Sequence, residues 1–305
     1  MKGGRKDNFY FCLLDHFEES NRWFLKSVLQ VQDDDEVKDG DDAIRSWIDK
    51  FEIRNLVIDF PLTRPACYDC ELECPGISKC PVPEVEYVRN QAQDILDKDM
   101  ELLEKHPKGY ERDRNIDDLF DYSRDIFDKW PVEHLLSRSF KRRLKKGFLP
   151  YWNRPLDFWI WCFYHDQLLK LFKTTFDSFG NTSLMVVSRF SYMKRHFPKN
   201  LSMHEANVNL ILIELIRSKV LLVKNIVNLS DLELGVEARL DIIKKIESKL
   251  NIFIYDHDLD ILVKNPRAFD SFLLAIAGQR KLLDQLINPP EWTDPLKTSF
   301  ILPAF

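Results

Sequence analysis

The sequence contains little glycine, with 9 in 305 residues, and it has neither a GxxxxGK[ST] nor a GxGxxG motif. Those loops need glycine because backbone N–H groups have to approach a phosphate closely, so their absence argues against the nucleotide-binding folds built on them. The chain also lacks an apolar run of about 18–20 residues, the length that crosses a bilayer. Its apolar stretch Phe9–Leu14 is too short for the core of a signal peptide. We therefore expect a cytoplasmic protein without a membrane partner.

An excess of positive charge is missing as well. The formal net charge is −5, so no global positive field draws the chain to nucleic acid. Contact with nucleic acid would have to come from a local basic patch, and the one dense basic run is Arg138–Lys146, which includes Arg142 and Arg143. This run would hold phosphates in a nucleic-acid-binding protein. The alternative is a solvated helix face that offsets nearby acids.

The N-terminal part has the order of an α/β sheet. Two strand-like segments, Phe9–Asp15 and Arg22–Val31, predict a hairpin. An acidic loop follows, and then apolar residues at helical spacing predict an amphipathic helix with Asp41 or Asp42 as its N-cap. A short buried strand, Leu56–Asp59, comes next. Strand, strand, helix and strand in this order favour a sheet with crossover helices.

The remainder of the chain is mostly helical. We divide the whole chain into an N-terminal core part (1–66), a cysteine-rich loop (67–82), a helical insertion (83–176) and a C-terminal core part (177–305). One aromatic helix, Leu156–Phe176, is apolar on nearly all sides and is predicted to be buried. Further predicted elements are a short strand at Ser183–Val187, helices at Val208–Val223, Gly235–Leu250 and Asp260–Leu286, and an edge strand at SFILP.

Four acidic residues lie next to apolar segments that are predicted to be buried: Asp15, Asp59, Glu205 and Asp270. Asp15 and Asp59 each end an apolar strand, so they emerge at one edge of the sheet if the strands are parallel neighbours. Asp270 shares a helix face with apolar residues, and Glu205 precedes a buried helix. Buried carboxylates need a compensating charge or metal. If they converge, they would hold two Mg²⁺ or Mn²⁺ ions about 3.5–4 Å apart and hydrolyse a phosphodiester. The alternative for each acid is a role in a turn or cap.

Several segments, in their order along the chain, resemble an uncharacterised RNase H-like family, domain of unknown function 429, whose members are described as predicted nucleases. The segments are VIDFPLT, CPGISKCPVPE, GFLPYWNRPLD, SYMKRHFP followed by HEANVNL, and AFDSFLLAIAG. The resemblance implies an α/β fold with an RNase H-like mixed sheet core, to which this chain adds a large helical insertion and a cysteine-rich metal loop.

The resemblance also implies roles for individual polar residues. The expected catalytic acids are Asp15, Asp59, Glu205 and Asp270. The expected pocket-lining residues are Arg154, Asp157 and Arg189. Together these features predict a divalent-metal-dependent nuclease or phosphodiesterase that acts on nucleic acid. Two alternatives are a non-catalytic RNase H-like binding or scaffold protein, and a small-molecule phosphotransferase, against which the absence of a phosphate loop counts.

Four cysteines follow Asp59 with the spacing C-x2-C-x3-C-x5-C; they are Cys67, Cys70, Cys74 and Cys80. In a reducing compartment such a cluster indicates metal ligands rather than disulfides. Four thiolates complete a tetrahedral zinc site, and close cysteines followed by proline also occur around iron–sulfur clusters. We predict structural Zn²⁺, with an iron–sulfur cluster or reduced thiols as alternatives.

Overall fold

The computed structural model describes residues 1, 9–31, 40–108, 153–173, 184–229, 231, 233–293 and 300–305. Its secondary structure is mixed α/β, as predicted. The chain divides into two compact units. Unit 1 comprises Met1–Leu62, Ser183–Asn288 and Thr298–Phe305, and unit 2 comprises Thr63–Thr182 and Pro289–Lys297. The finer division into four parts stays a prediction.

The predicted hairpin in unit 1 is confirmed as strands β1 (Tyr10–Phe17) and β2 (Arg22–Gln30). Its turn contains Asn21 with a φ of 47°, a left-handed conformation that asparagine tolerates better than most residues. The strands pair antiparallel from Tyr10–Gln30 to Phe17–Arg22. Strand β5 (Ile252–Phe253) adds to β2 in parallel, so that this sheet has the order β1-β2-β5.

A second sheet joins strand β3 (Asn55–Ile58) to strand β4 (Ser202–Glu205). The two strands are parallel, with Asn55 opposite Ser202 and Ile58 opposite Glu205. Three of the four residues of β3 are buried, as expected for a parallel strand covered on both faces. The predicted edge strand of the tail is represented by two isolated bridges, a parallel one between Phe300 and Glu205 and an antiparallel one between Pro303 and Leu286.

The core of unit 1 lies against helix α1 (Gly40–Lys50), which the sequence predicts. Acidic residues in its first turn and Lys50 in its last turn both complement the helix dipole. Its inner face buries four apolar residues in one cluster with Leu56 and Ile58 of β3: Ala43, Ile44, Trp47 and Ile48. Burial of each larger side chain contributes about 1.5–3 kcal/mol.

The other helices of unit 1 partly differ from the prediction. Val208–Arg217 (α5) is capped by Asn207 and is shorter than predicted, and Leu234–Leu250 (α7) agrees with the prediction. The predicted strand at Ser183–Val187 is wrong, because Leu184–Met193 (α4) is a helix. The predicted helix Asp260–Leu286 is divided at Asn265–Pro266, because Asn265 caps a new helix. The two helices on either side of this break are α8 (Asp256–Lys264) and α9 (Pro266–Leu282). Helix α6 (Val223–Ile226) is a short helix between α5 and α7.

Unit 2 contains two long helices, α2 (Pro83–Lys105) and α3 (Pro155–Phe172), which both start with proline. The described part of α3 is buried on nearly all sides, as predicted, with Phe158 and Trp161 at most 1% exposed. Among the helices of the described residues, none combines the length and the apolar character needed to cross a membrane.

Candidate functional site

Two of the predicted acids lie at the carboxyl ends of neighbouring parallel strands. Glu205 is the last residue of β4, and it pairs with Ile58, the last residue of β3. Asp59 follows Ile58 directly and is half-buried. Ligand sites of open α/β sheets lie at this edge, because the strand ends and the loops after them leave a crevice there. The acids at this edge are therefore Asp59 and Glu205.

Glu205 is held rigidly at this edge. Its side chain is 5% exposed, and its Oε2 accepts a hydrogen bond of 3.1 Å from the backbone N–H of Leu62. Its backbone carbonyl accepts a second bond, of 2.8 Å, from the N–H of Ile301. One carboxylate oxygen is thus committed to the segment that follows Asp59. The carboxylate therefore fixes the position of the chain that follows β3.

Helix α9 brings a third acid toward the same end of β3. Lys281, near the end of α9, donates to the side chain of Asn55 at the start of β3 (3.4 Å). One turn earlier, a Cβ at Gly278 would lie 3.1 Å from Cγ2 of Val57. The helix and the strand therefore run in opposite directions, so the carboxyl end of β3 faces the N-terminal half of α9. That half carries Asp270.

Asp270 also interacts with a cation that the sequence reasoning missed. Burial lowers the pKa of Arg239, and the negative charge of Asp270 opposes this shift. Arg239 is 4% exposed, and its Nε donates to the carbonyl of Val263 (2.7 Å). The sequence does contain a signal for this buried arginine. Apolar residues recur three, four and seven positions after it in α7, at Ile242, Ile243 and Ile246.

Asp15 does not join these acids. It lies within β1, in the sheet that contains β2 and β5, whereas Asp59 follows a strand of the other sheet. The start of β1 lies at the start of α9, where Asn265 donates to the hydroxyl of Tyr10 (2.6 Å). Farther along both elements, Cys12 contacts Ala268 and Ser271, so β1 runs along α9 in the opposite sense to β3. Asp15 is instead paired with Lys26 at 2.9 Å, with nearly half of its side chain exposed.

The expected convergence of the acids is thus only partial. Among the described residues, no group of three or more His, Cys, Asp or Glu side chains is arranged to hold a metal ion. The condition under which Asp15 and Asp59 would emerge at one sheet edge is not met among the described residues, because β1 and β3 belong to different sheets. Whether Asp59, Glu205 and Asp270 bind a divalent ion stays a prediction.

Arg154 and Asp157 form a capping interaction at the start of α3. The Asp157 carboxylate accepts bonds from the backbone N–H of Arg154 (2.9 Å), from its Nε (3.0 Å) and from its Nη2 (2.8 Å). Both side chains are at most 7% exposed. Arg154 also donates to the hydroxyl of Thr63 (3.3 Å). These bonds use both side chains to stabilise the start of α3. They do not favour the expected pocket-lining role, which stays a prediction.

Arg189 likewise has a partner within the protein. Its guanidinium binds Asp41 in the first turn of α1, with Nε 2.7 Å from the carboxylate, and lies over the ring of Phe9. The pair joins α4 to α1. The remaining expected substrate residues, Arg142 and Arg143, lie outside the described residues.

The four cysteines lie in the segment of unit 2 that precedes α2. Cys80 is buried and Cys67 is half-buried, whereas Cys70 and Cys74 are exposed. The pKa of Cys67 is raised by burial and then by the negative charges of Cys80, Cys70 and Cys74. All three other thiols are therefore close enough to Cys67 to influence it.

Comparisons with protein-family models, with curated proteins and with solved structures found no match for this chain. The resemblance to the RNase H-like family therefore stays a prediction from the sequence. The structural feature that points to a function is the position of the acids at the ends of β3 and β4.

Proposed function

We propose that the protein is a divalent-metal-dependent phosphodiesterase with an RNase H-like core and a nucleic-acid substrate. The observation that supports this function is the position of Asp59 and Glu205 at the carboxyl ends of two parallel neighbours, β3 and β4. The N-terminal half of α9, with Asp270, faces the same end of β3. The proposed ligands are Asp59 and Asp270, with Glu205 as a further oxygen donor.

A donor set of this size is sufficient for Mg²⁺ or Mn²⁺. Mg²⁺ sites commonly use one or two carboxylates, and waters and substrate phosphates complete the shell. The loss of Asp15 from the expected set is therefore compatible with metal binding. Such an ion, when bound, orients a water molecule and stabilises the charge on the leaving oxygen of a phosphodiester.

In this proposal the protein side chains have separate tasks. Glu205 holds the chain after β3 through the N–H of Leu62, which fixes the position of Asp59. Arg239 supplies a positive charge near Asp270. The same positive charge competes with a metal ion for Asp270, so we expect weak metal affinity without substrate.

The test compares Mn²⁺ binding, followed by calorimetry and electron paramagnetic resonance, in the wild type and in Asp59→Asn. We expect a loss of affinity of about tenfold or more, because even groups that only support a metal ligand contribute about 10–100-fold. Hydrolysis of labelled single-stranded DNA and RNA should be abolished with an unchanged melting temperature. Asp260→Asn is the matched control, because Asp260 is exposed and paired with Lys264 on α8.

Asp15→Asn separates the two possible ligand sets. The family resemblance implies that Asp15 is catalytic, whereas the proposed site leaves it out because its carboxylate is paired with Lys26. We expect Asp15→Asn to keep both Mn²⁺ binding and hydrolysis. Activity that disappears with Asp15 but survives Asp59→Asn would contradict the proposed site.

A specific observation favours a second function. Two of the four expected acids are compensated by cations of the protein itself, Asp15 by Lys26 and Asp270 by Arg239. A non-catalytic RNase H-like binding or scaffold protein would have this property. It predicts that the wild type binds no Mn²⁺ and hydrolyses no phosphodiester, and that fluorescence anisotropy with labelled oligonucleotides is unaffected by Asp59→Asn.

A further inference from the structure

Unit 1 contains a cavity of about 90 Å³ between its two sheets and the helices α1 and α9. Strands β1 and β2 form one part of its wall, and β3 of the other sheet forms another. Protein interiors are normally packed without spaces of this size. A water molecule needs about 10–15 Å³ of such space, so the cavity has room for a molecule of about six to nine non-hydrogen atoms.

The backbone geometry around the cavity leaves this space unfilled. One face of α9 lines it, with residues at helical spacing: Ala275, Gly278, Gln279 and Leu282. The helix lies close to β3, because a Cβ at Gly278 would be 3.1 Å from Cγ2 of Val57. On the opposite wall, the pairing of β1 with β2 shifts register between Leu13 and Leu14, which both line the cavity. Irregularities of this kind are frequent beside binding sites, where they change the direction of side chains.

The wall of the cavity is largely apolar and rich in aromatic side chains. Phe11 and Trp47 contact each other edge to face at 5.4 Å, and Trp23 and Phe51 complete the aromatic part. Leu282, at the end of α9, is 53% exposed, so the wall extends to the surface there. An aromatic ring bound inside would find edge-to-face partners, and it would bury apolar surface of both molecules.

One polar side chain in this wall has an unused hydrogen-bonding group. Gln279 is 2% exposed, and its Oε1 is buried without a hydrogen-bond partner in the part of the chain that the structure describes. The other two polar side chains of the wall are occupied. Asn55 accepts a bond from Lys281 (3.4 Å), and the thiol of Cys12 bonds to Ser271. Buried amide oxygens are rarely left unpaired, so Gln279 indicates a ligand that donates a hydrogen bond.

We propose that the cavity binds a small aromatic molecule with one hydroxyl or N–H donor, of the size and polarity of a phenol. Its ring lies among the aromatic side chains, and its donor bonds to Oε1 of Gln279. The terminal torsion of glutamine is soft, so the amide can turn its oxygen to this donor. The cavity is lined by the first three residues of β3, whereas Asp59 follows the end of that strand. The site is therefore separate from the acids, and the proposal goes beyond the phosphodiesterase and does not depend on it.

The experiment titrates the full chain with phenol and with toluene, which have equal numbers of non-hydrogen atoms and differ in the donor. Amide chemical shifts, followed by nuclear magnetic resonance, give the affinity and locate each probe. We expect both probes to shift signals of β1, β3 and α9. Phenol should bind about two- to tenfold more tightly, which corresponds to the net contribution of one hydrogen bond.

Two variants test the two parts of the proposed site. Gln279→Met keeps the length of the side chain and removes the acceptor, so it should keep the affinity for toluene and lose the preference for phenol. Ala275→Leu fills the cavity from α9 and should abolish binding of both probes, with circular dichroism as the check of folding. Gln93→Met is the matched control, because Gln93 is exposed on α2 and bonds to Asp97. It should keep both affinities.

Three results would overturn the proposal. The first is that neither probe binds, or that both bind to residues elsewhere. The second is that toluene binds the wild type as tightly as phenol, since the amide oxygen would then have no role. The third is that Gln279→Met retains the full preference for phenol. Each result is independent of metal binding and of hydrolysis, so this proposal and the proposed function fail separately.

Discussion

The buried pair Arg154–Asp157 provides the sharpest test of the structure. The sequence resemblance makes both residues part of a substrate pocket, whereas the geometry makes them the start of α3. We predict that Asp157→Asn destabilises unit 2 strongly and leaves substrate affinity unchanged in the folded protein. The reason is that the substitution keeps the shape of the side chain and removes the charge opposite a buried guanidinium.

The expected magnitude follows from burial. The two side chains are only 7% and 5% exposed, and loss of one partner from a buried ion pair costs about 3–5 kcal/mol. At roughly 4 °C per kcal/mol for a unit of this size, the melting temperature should fall by about 12–20 °C. The matched control is Asp42→Asn. Asp42 pairs with Arg45 at the same i,i+3 spacing but is about half exposed, so its loss should change stability by at most about 1 kcal/mol.

Thermal and urea unfolding of both variants measure these differences. A second variant, Arg154→Met with Asp157→Leu, removes both charges and should recover much of the stability, because an apolar pair leaves no buried charge unpaired. A change of less than about 1 kcal/mol in Asp157→Asn, together with weaker oligonucleotide binding, would refute the structural role and support the pocket-lining role.

Three further predictions concern other buried groups. Gln279→Met should raise the free energy of unfolding by about 1 kcal/mol in urea titrations, because Oε1 of Gln279 is buried without a hydrogen-bond partner among the described residues and lines a cavity of about 90 Å³. Glu205→Ala should cost about 1–3 kcal/mol, since it leaves the partly buried N–H of Leu62 without its acceptor, whereas Glu205→Gln should cost less. Burial raises the pKa of Cys12 from 9.0 to about 12. The neutral thiol therefore stabilises the fold below pH 9.0. This contribution to the free energy of unfolding is lost as the pH rises toward 12, at about 1.4 kcal/mol per pH unit. The Cys12→Ser variant should therefore lose less stability than the wild type between pH 8 and pH 10.

Local patterns predicted those elements whose signals lie within a few residues. The hairpin, α1, α3 and α7 follow from alternation, helical spacing, proline and end charges. The strand expected at 183–187 came from the two valines of SLMVV. A longer window shows buried residues at intervals of three, at Val187, Phe190 and Met193, which is helical spacing.

The candidate site depends on relations that local patterns do not contain. Asp15 and Asp59 have the same local sequence pattern, since each is an aspartate at the end of an apolar strand. What separates them is the direction of each strand along α9, which is decided by contacts with residues more than two hundred positions away. Lys26 becomes the partner of Asp15 only through the register of the hairpin. The sequence therefore identifies candidate acidic residues, but tertiary packing determines which of them lie close together.

The competition between Arg239 and a metal ion for Asp270 connects the two candidate functions. Arg239 is buried, its Nε donates to the carbonyl of Val263, and the negative charge of Asp270 favours its charged form. A metal ion bound to Asp270 would weaken this electrostatic support of Arg239, so the carboxylate would have to act on both cations. In that arrangement Asp270→Asn lowers both stability and Mn²⁺ affinity, whereas Asp59→Asn lowers Mn²⁺ affinity alone. In a scaffold protein Asp270→Asn lowers stability only, because no metal ion depends on the carboxylate. The pair of measurements therefore distinguishes the two functions.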